Sequence, residues 1–214
     1  MPTDLLSAVK EKARPYFVNA RGSHDWSHTE RVYRLCLQLA ARLGADPQVV
    51  GAAALLHDIG RREQDESKGE VCHAEAGARL ARAILRDLGL DQELIGRVIH
   101  CIETHRFRGA KAPQTLEAKV LFDADKLDSI GAIGIGRAFQ FAGEVGARLH
   151  NGGIDLDATR SYSREDTAYR EFSVKLCKIK DRMLTAEGAR MAEQRHRFMV
   201  DFFQRLDEET AGKV

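Results

Sequence analysis

The sequence predicts an all-α protein, a single-domain compact helical bundle that ends in a helical hairpin. Three observations predict it. Apolar residues recur at helical spacing along nearly the whole chain, the strict alternation that marks strands is almost absent, and helix start and stop residues fall between the periodic segments. The 214 residues suit one domain, with a core over about residues 20–150 and C-terminal helices over about 166–210 packed on it.

The elements follow in order. Val32, Leu35, Cys36, Leu39 and Leu43 form one stripe, with Arg31, Arg34, Gln38 and Arg42 on the other side, and His28 shares the apolar face because it lies one helical turn before Val32. Asp46-Pro47 starts the next helix, Asp as cap and Pro in the first turn. It runs through the apolar Val49–Leu56 and is expected to carry His57 and stop near Gly60 in a left-handed cap. Gly60–Gly69 reads as a charged loop. A third helix spans about Cys72 to Leu88, with Gly77, Leu80, Ile84 and Leu88 in register and Gly89 closing it. Asp91 caps a fourth, facing Ile95, Val98, Ile99 and Ile102 inward, and a fifth begins near Thr115 and carries Val120, Leu121, Ala124 and Leu127.

Gly131–Leu149 forms a glycine-rich helix. Glycine is unfavourable in a helix by roughly 1 kcal/mol against alanine, so Gly131, Gly134, Gly136, Gly143 and Gly146 point to close helix–helix approach. They are not a phosphate loop, since no strand precedes them and the spacing matches no nucleotide fingerprint. Asn151–Asp166 has no period and reads as a surface loop or a contact of a homodimer. Tyr169, Phe172, Leu176, Ile179 and Met183, then Ala192, His196, Met199, Phe203 and Leu206, mark two last helices, expected to hairpin back over the first five.

Composition excludes several classes. A net charge of +1 gives no reason to expect polymeric nucleic acid or an anionic membrane as partner. No apolar run nears the ~20 residues that span a bilayer. Met1–Arg14 lacks the apolar core of a signal peptide, so the cytoplasm is the expected compartment. Cys36, Cys72, Cys101 and Cys177 are scattered and form no CxxC pair, which fits reduced thiols.

The chemistry concentrates at His57 and Asp58, where an apolar helix runs out. Burying this pair costs several kcal/mol unless something pairs with it, and a divalent metal ion satisfies both. Neighbours on a helix diverge by ~100°, so the ion needs outside ligands; His28 and Asp125 suit, giving a mixed nitrogen and oxygen site open to water and a phosphate oxygen. Asp125 and Asp128 share a face with Leu121, and an acidic group on an apolar face wants a cation.

Other residues divide by face. His105 continues the inward stripe of Val98 and Ile102 and is followed by Arg106, Phe107, Arg108 and Lys111; it reads as a pocket wall meeting phosphate or as a core histidine bonded to a backbone carbonyl. His73 extends the Gly77–Leu80–Ile84 stripe and is a candidate for substrate contact. His100 is expected to be solvated, His196 packed, and His150 carries no message. His24-Asp25 precedes its helix, so an outer role orienting a ligand imidazole suits it, with Trp26 covering the site. Arg61 and Arg62, in the charged segment, either face solvent or close over the site as a lid that grips phosphate.

The pattern His28 … His57-Asp58 … Asp125 resembles the HD-domain superfamily of metal-dependent phosphohydrolases. The strings His24-Asp25-Trp26-Ser27-His28-Thr29-Glu30-Arg31-Val32, Leu55-Leu56-His57-Asp58-Ile59-Gly60 and Asp123-Ala124-Asp125-Lys126-Leu127-Asp128 followed by Ser129–Gly134 are similar to a small bacterial subgroup of that family. The C-terminal pattern around Lys175-Leu176 and Arg195–Phe203 is similar too. The subgroup includes nucleoside-triphosphate pyrophosphohydrolases. The resemblance implies a helical fold of the HD-domain type with manganese, magnesium or a similar ion at its centre. It implies His28, His57, Asp58 and Asp125 as ligands, Asp58 also sharing its carboxylate with the attacking water, and Lys126 as a phosphate-binding cation. Extra histidines hold a second metal in some members, which is a further role open to His73. The substrate implied is a small nucleotide, cleaved to monophosphate and pyrophosphate; a nucleoside monophosphate phosphatase or phosphodiesterase, or a non-catalytic nucleotide-binding regulator, is the alternative.

Overall fold

Helix boundaries follow the caps. A computed structural model of the chain describes residues 5–18, 20, 24–106 and 111–214. Ten α-helices lie among them: α1 (Leu5–Ala13), α2 (Trp26–Leu43), α3 (Pro47–Leu56), α4 (Arg61–Glu66), α5 (His73–Asp87), α6 (Gln92–Thr104), α7 (Leu116–Asp128), α8 (Gly131–Glu144), α9 (Ala168–Val174) and α10 (Ala186–Thr210). Short 3₁₀ segments occupy Arg14–Phe17, Leu156–Ala158 and Leu176–Arg182. No strand occurs among the described residues, so the fold is all-α. Nor is any helix among them long and apolar enough to cross a membrane.

The start residues act through their side chains. Asp25 accepts from the His28 backbone N–H, Asp46 from Gln48 and Val49, and Asp91 from Leu94, each satisfying donors that a helix start leaves free. Gly44 and Gly89 sit at φ +75°, where only glycine is unstrained, and close α2 and α5.

The chain divides into two compact units, Met1–Asp125 and Lys126–Val214. In the first, α3 packs against α1, α2, α5 and α6, and every residue from Val49 to Leu56 is buried. In the second, α10 packs on α8 and on the Leu176–Arg182 turn, and α9 packs on α8. Phe203 is the hub there, in ring contact with Phe139, Tyr169, Phe172 and Phe202. The four cysteines are free.

Four local expectations need correction. First, α3 stops at Leu56 and Gly60 has φ −85°, so Gly60 is no left-handed cap. Its lack of a side chain serves contact instead, because a Cβ there would strike the backbone of His73 and Gly77 on α5. Second, the charged segment is not a loop but α4, one face of which meets the centre described below. Third, α8 ends at Glu144. Gly146, at φ +67°, turns the chain so that the Ala147 N–H reaches the Ala142 carbonyl at 2.8 Å. Of the glycines credited with close approach, only Gly131 and Gly134 meet neighbours; a Cβ at Gly136 or Gly143 would face open space. Fourth, the Tyr169–Met183 stripe breaks at Lys175 into α9 and a 3₁₀ turn. Leu176 and Ile179 stay buried because a spacing of three suits a 3₁₀ turn as well as an α-helix. Asn151–Asp166 is tied down: Thr167 donates to Asn151 at 2.6 Å, and His150, unremarkable in sequence, donates to Asp207 at 2.5 Å.

Candidate metal centre

The centre lies wholly in the first unit, where α2, α3, α5, α6 and α7 bring their polar exceptions together. His28 sits in the third position of α2, one turn ahead of buried Val32, and is fully buried. His57 is the C-terminal cap residue of α3, and Asp58 follows in the turn; both are buried. Asp125 reaches in from α7 with 18% of its side chain exposed.

These four groups converge. His28 Nε2 lies 3.3 Å from His57 Nε2, 3.7 Å from Asp58 Oδ2 and 3.6 Å from Asp125 Oδ1, and His57 Nε2 lies 3.6 Å from Asp58 Oδ2. Ligand bonds of about 2.1 Å place neighbouring ligand atoms about 3–3.5 Å apart, so a divalent ion fits among these atoms. The His57 tautomer agrees. Its Nδ1–H donates to the Ala54 carbonyl at 2.8 Å, which leaves a lone pair on Nε2 aimed at the cage.

Asp58 is the pivot, and its two oxygens face different company. Oδ2 faces the cage and also accepts from His24 Nδ1–H at 3.1 Å. Oδ1 faces His73 Nε2 at 3.3 Å, His105 Nε2 at 3.7 Å and Arg61 Nε at 3.1 Å. Burial by itself would raise the Asp58 pKa, but Arg61 above all, and then His57 and His24, hold it well below the usual carboxylate range. Oδ1 nevertheless accepts no hydrogen bond, and the buried Arg61 N–H donates none. Their contact is an ion pair without hydrogen-bond alignment.

His73 and His105 have fixed tautomers. His73 Nδ1–H donates to Gln64 Oε1 at 2.8 Å, and His105 Nδ1–H donates to the Ile102 carbonyl at 2.7 Å. Their Nε2 atoms, 3.1 Å apart, therefore present two lone pairs to each other. Burial is the main cause that pushes His73 down to about 2 and His105 down to about 3, so both are neutral imidazoles at neutral pH, with no proton on Nε2. A phosphate oxygen has no hydrogen to offer them. This speaks against direct phosphate binding by His73 and His105 and for a role as cation ligands or as acceptors from a hydroxyl. Of the two readings of His105, the bond to a backbone carbonyl is present at Nδ1, while Nε2 faces the Asp58 carboxylate.

The remaining sequence-selected residues are placed unevenly. Arg61 is at the centre. Arg62 pairs instead with Glu66 at 2.7 Å on the exposed side of α4. Arg106 Nη1 lies 3.3 Å from Gln64 Oε1 and 3.4 Å from Cys72 Sγ, beside the His73 support. Lys126 follows Asp125 on α7 and is half-buried. Arg108 lies outside the described residues. Asp128 finds its cation in Arg137, 2.9 Å away. Trp26 packs edge-on against Phe17. The outer role expected of His24 falls on a carboxylate, since it contacts Asp58 Oδ2 and not a ligand imidazole. Sequence reasoning missed Gln64, an ordinary polar residue of a charged run that nothing local marks.

Among the described residues, three groups could each hold an ion: His28, His57 and Asp125; His24, His28 and Asp58; and Asp58, His73 and His105. The HD domain family model matches residues 25–130. YpgQ of Bacillus subtilis (strain 168) is 36% identical over 193 residues, covering 88% of this chain and 85% of that protein. The crystal structure of Bacillus subtilis YpgQ in complex with ADP superposes with TM-score 0.75 at 30% identity, over 95% of this chain and 94% of the other. An HD-superfamily hydrolase from Bacillus thuringiensis superposes with TM-score 0.76 at 27% identity, over 96% of both chains. Ribonuclease Y of Chloroflexus aurantiacus is 31% identical over 119 residues, which is 56% of this chain but only 21% of that longer protein.

Proposed function

The chain belongs to the HD-domain superfamily of metal-dependent phosphohydrolases, and we propose that its substrate is a small nucleotide, with a nucleoside triphosphate cleaved to monophosphate and pyrophosphate. The observation that carries the reading is the cage of four ligand atoms around His28, with Asp58 Oδ2 shared among three imidazoles. The complex of similar YpgQ with ADP supports the nucleotide class. The likeness to the pyrophosphohydrolase subgroup supports the bond cleaved.

His28, His57, Asp58 and Asp125 would hold a divalent ion such as Mn²⁺ or Mg²⁺, which when bound would supply Lewis acidity toward a phosphoryl oxygen and lower the pKa of water. The protein's own groups do the rest. The Ala54 carbonyl locks the His57 tautomer, so the ligand lone pair is ready without reorganisation. His24 donates to Asp58 Oδ2 and orients it toward the attacking water. Arg61 brings positive charge to the centre, and by family resemblance Lys126 adds more; both offset the negative charge carried by the phosphoryl and leaving-group oxygens in the transition state. The partly exposed Asp125 leaves the cage an open side for substrate.

The test is direct. The full chain is stripped with chelator, Mn²⁺ or Mg²⁺ is restored, and orthophosphate and pyrophosphate are measured across a nucleotide panel. Pyrophosphate release that needs metal and is lost in Asp58→Ala is expected. Orthophosphate as the sole product would replace the reading with a phosphatase. Nucleotide binding without turnover under every metal would make the chain a regulator and overturn the proposal.

A further inference from the structure

Asp125 lies in the last turn of α7, which ends at Asp128. The last turn is where a helix frays, because its carbonyls find no partner further along the helix. A ligand placed there is held loosely unless something outside the turn fixes it. His28, His57 and Asp58 are buried, but the Asp125 side chain is 18% exposed, so it leans most on such support. The support is present. Ser129 Oγ donates to the Lys126 carbonyl at 2.7 Å, Arg195 Nη1 donates to the Leu127 carbonyl, and Arg137 Nη1 donates to the Asp128 carbonyl at 3.1 Å. Three successive carbonyls each accept from a side chain. Two of the donors are guanidinium groups, whose charge also suits the negative end of the helix dipole.

Arg195 comes from α10, so its hold on this turn is tertiary. Its stem lies on Gly131, the first residue of α8, where a Cβ would stand 3.0 Å from Arg195 Cγ and 3.1 Å from Arg195 Cβ. Only Ser129 and Ile130 separate α7 from α8, so Arg195 grips both sides of a two-residue connection. Arg137 has a second duty, pairing with the Asp128 carboxylate at 2.9 Å, and that carboxylate keeps its partner when Arg195 is replaced. We propose that Arg195 is a positioning residue for the metal centre: it fixes the last turn of α7 and, through that turn, the Asp125 carboxylate. Metal–ligand distances tolerate errors of only about 0.2 Å, less than the excursions of a fraying turn. The inference rests on the functional reading above, in that Asp125 is a ligand of the family's ion.

Metal affinity tests it without recourse to turnover. Metal-free full chain is titrated with Mn²⁺, and the free ion is read by its electron paramagnetic resonance signal. Arg195→Met keeps a stem on Gly131 but removes the donor; it should weaken Mn²⁺ binding about tenfold, the lower end for loss of a group that supports a ligand. Arg195→Lys restores a donor and should recover most of the loss. In an Asp125→Asn background the same Arg195→Met change should cost less than about twofold, because the carboxylate through which it acts is already gone. A general loosening of the fold would cost the same in both backgrounds. His150→Gln removes the partner of Asp207 elsewhere on α10, and should leave Mn²⁺ affinity within about twofold of wild type. Far-ultraviolet circular dichroism establishes that each variant is folded, and Arg195→Gln serves if the methionine variant is not. Wild-type affinity in the folded variant, an equal loss with and without the Asp125 carboxylate, or a matching loss in His150→Gln would overturn the inference and leave the functional reading standing. A wild type that binds no Mn²⁺ would overturn both.

Discussion

Gly60→Ala tests the claim that the centre is assembled by backbone contact between the His57–Gly60 turn and α5. The added methyl would land well inside 3.0 Å of the Gly77 nitrogen and the His73 carbonyl, and 3.0 Å from the Ala76 methyl. Two of these are backbone atoms of α5 and cannot rotate away. Restoring ordinary contact needs α5 to retreat by at least about half an ångström. Overpacking of this kind costs about 1–3 kcal/mol, and a rigid helix places the cost near the upper end. At roughly 2–4 °C per kcal/mol for a domain of this size, the midpoint should fall by about 5–10 °C. His73, the first residue of α5, moves with it, so its 3.3 Å approach to Asp58 Oδ1 should lengthen. Thermal melting of metal-free protein reads the stability. Gly136→Ala is the control, because a Cβ there meets nothing within 4 Å in the exposed side of α8. A Gly60→Ala midpoint within about 1 °C of wild type would refute the packing argument.

Gly136→Ala itself should raise stability by about 0.5–1 kcal/mol through helix propensity, and an unchanged or lower midpoint would count against it. Metal-free protein should lose stability as pH falls below about 6.5. His73 and His105 stay neutral when folded, down to about 2 and about 3, but bind protons when unfolded. The unfolded state then holds more protons, so stability rises with pH across that window, by up to about 1.4 kcal/mol per pH unit for each histidine. Replacing both with glutamine should flatten the slope in denaturant melts at pH 7, 6 and 5; an unaltered slope would assign the acid sensitivity elsewhere. Arg137→Met should cost about 2–4 kcal/mol in urea unfolding, because it removes the guanidinium that holds the buried Asp128 carboxylate at 2.9 Å and its carbonyl at 3.1 Å. A loss under 0.5 kcal/mol would mean that other neighbours already satisfy Asp128.

Long periodic helices were legible because their side chains repeat with the backbone. The stripes of α2 and α6, and the caps Asp46, Asp91 and Gly89, are local facts that the structure repeats, whereas α5 buries Ala74, Ala78, Ala81 and Leu85 beside Gly77 and Ile84 and leaves Leu80 and Leu88 half-buried. Short or strained pieces were not. Nothing local separates a charged loop from the six-residue helix α4, whose form depends on Gly60 lying against α5. Nor does periodicity distinguish the 3₁₀ turn at Leu176–Arg182 from a continuing helix, since both bury residues three apart.

From its order of residues alone, this chain declares helices, their apolar faces and the polar residues that break those faces: His28, His57, Asp58, Asp125, His73 and His105. Those exceptions are visible because burial of an unpaired polar group is costly and so demands a partner. Which partner each one meets was decided only in three dimensions. Asp58 turns one oxygen to His28 and His57 and the other to His73, His105 and Arg61, while Gln64 and two backbone carbonyls set which imidazole nitrogens hold lone pairs. Direction and protonation at such short range come from contacts between elements distant in the chain, and no local pattern encodes them.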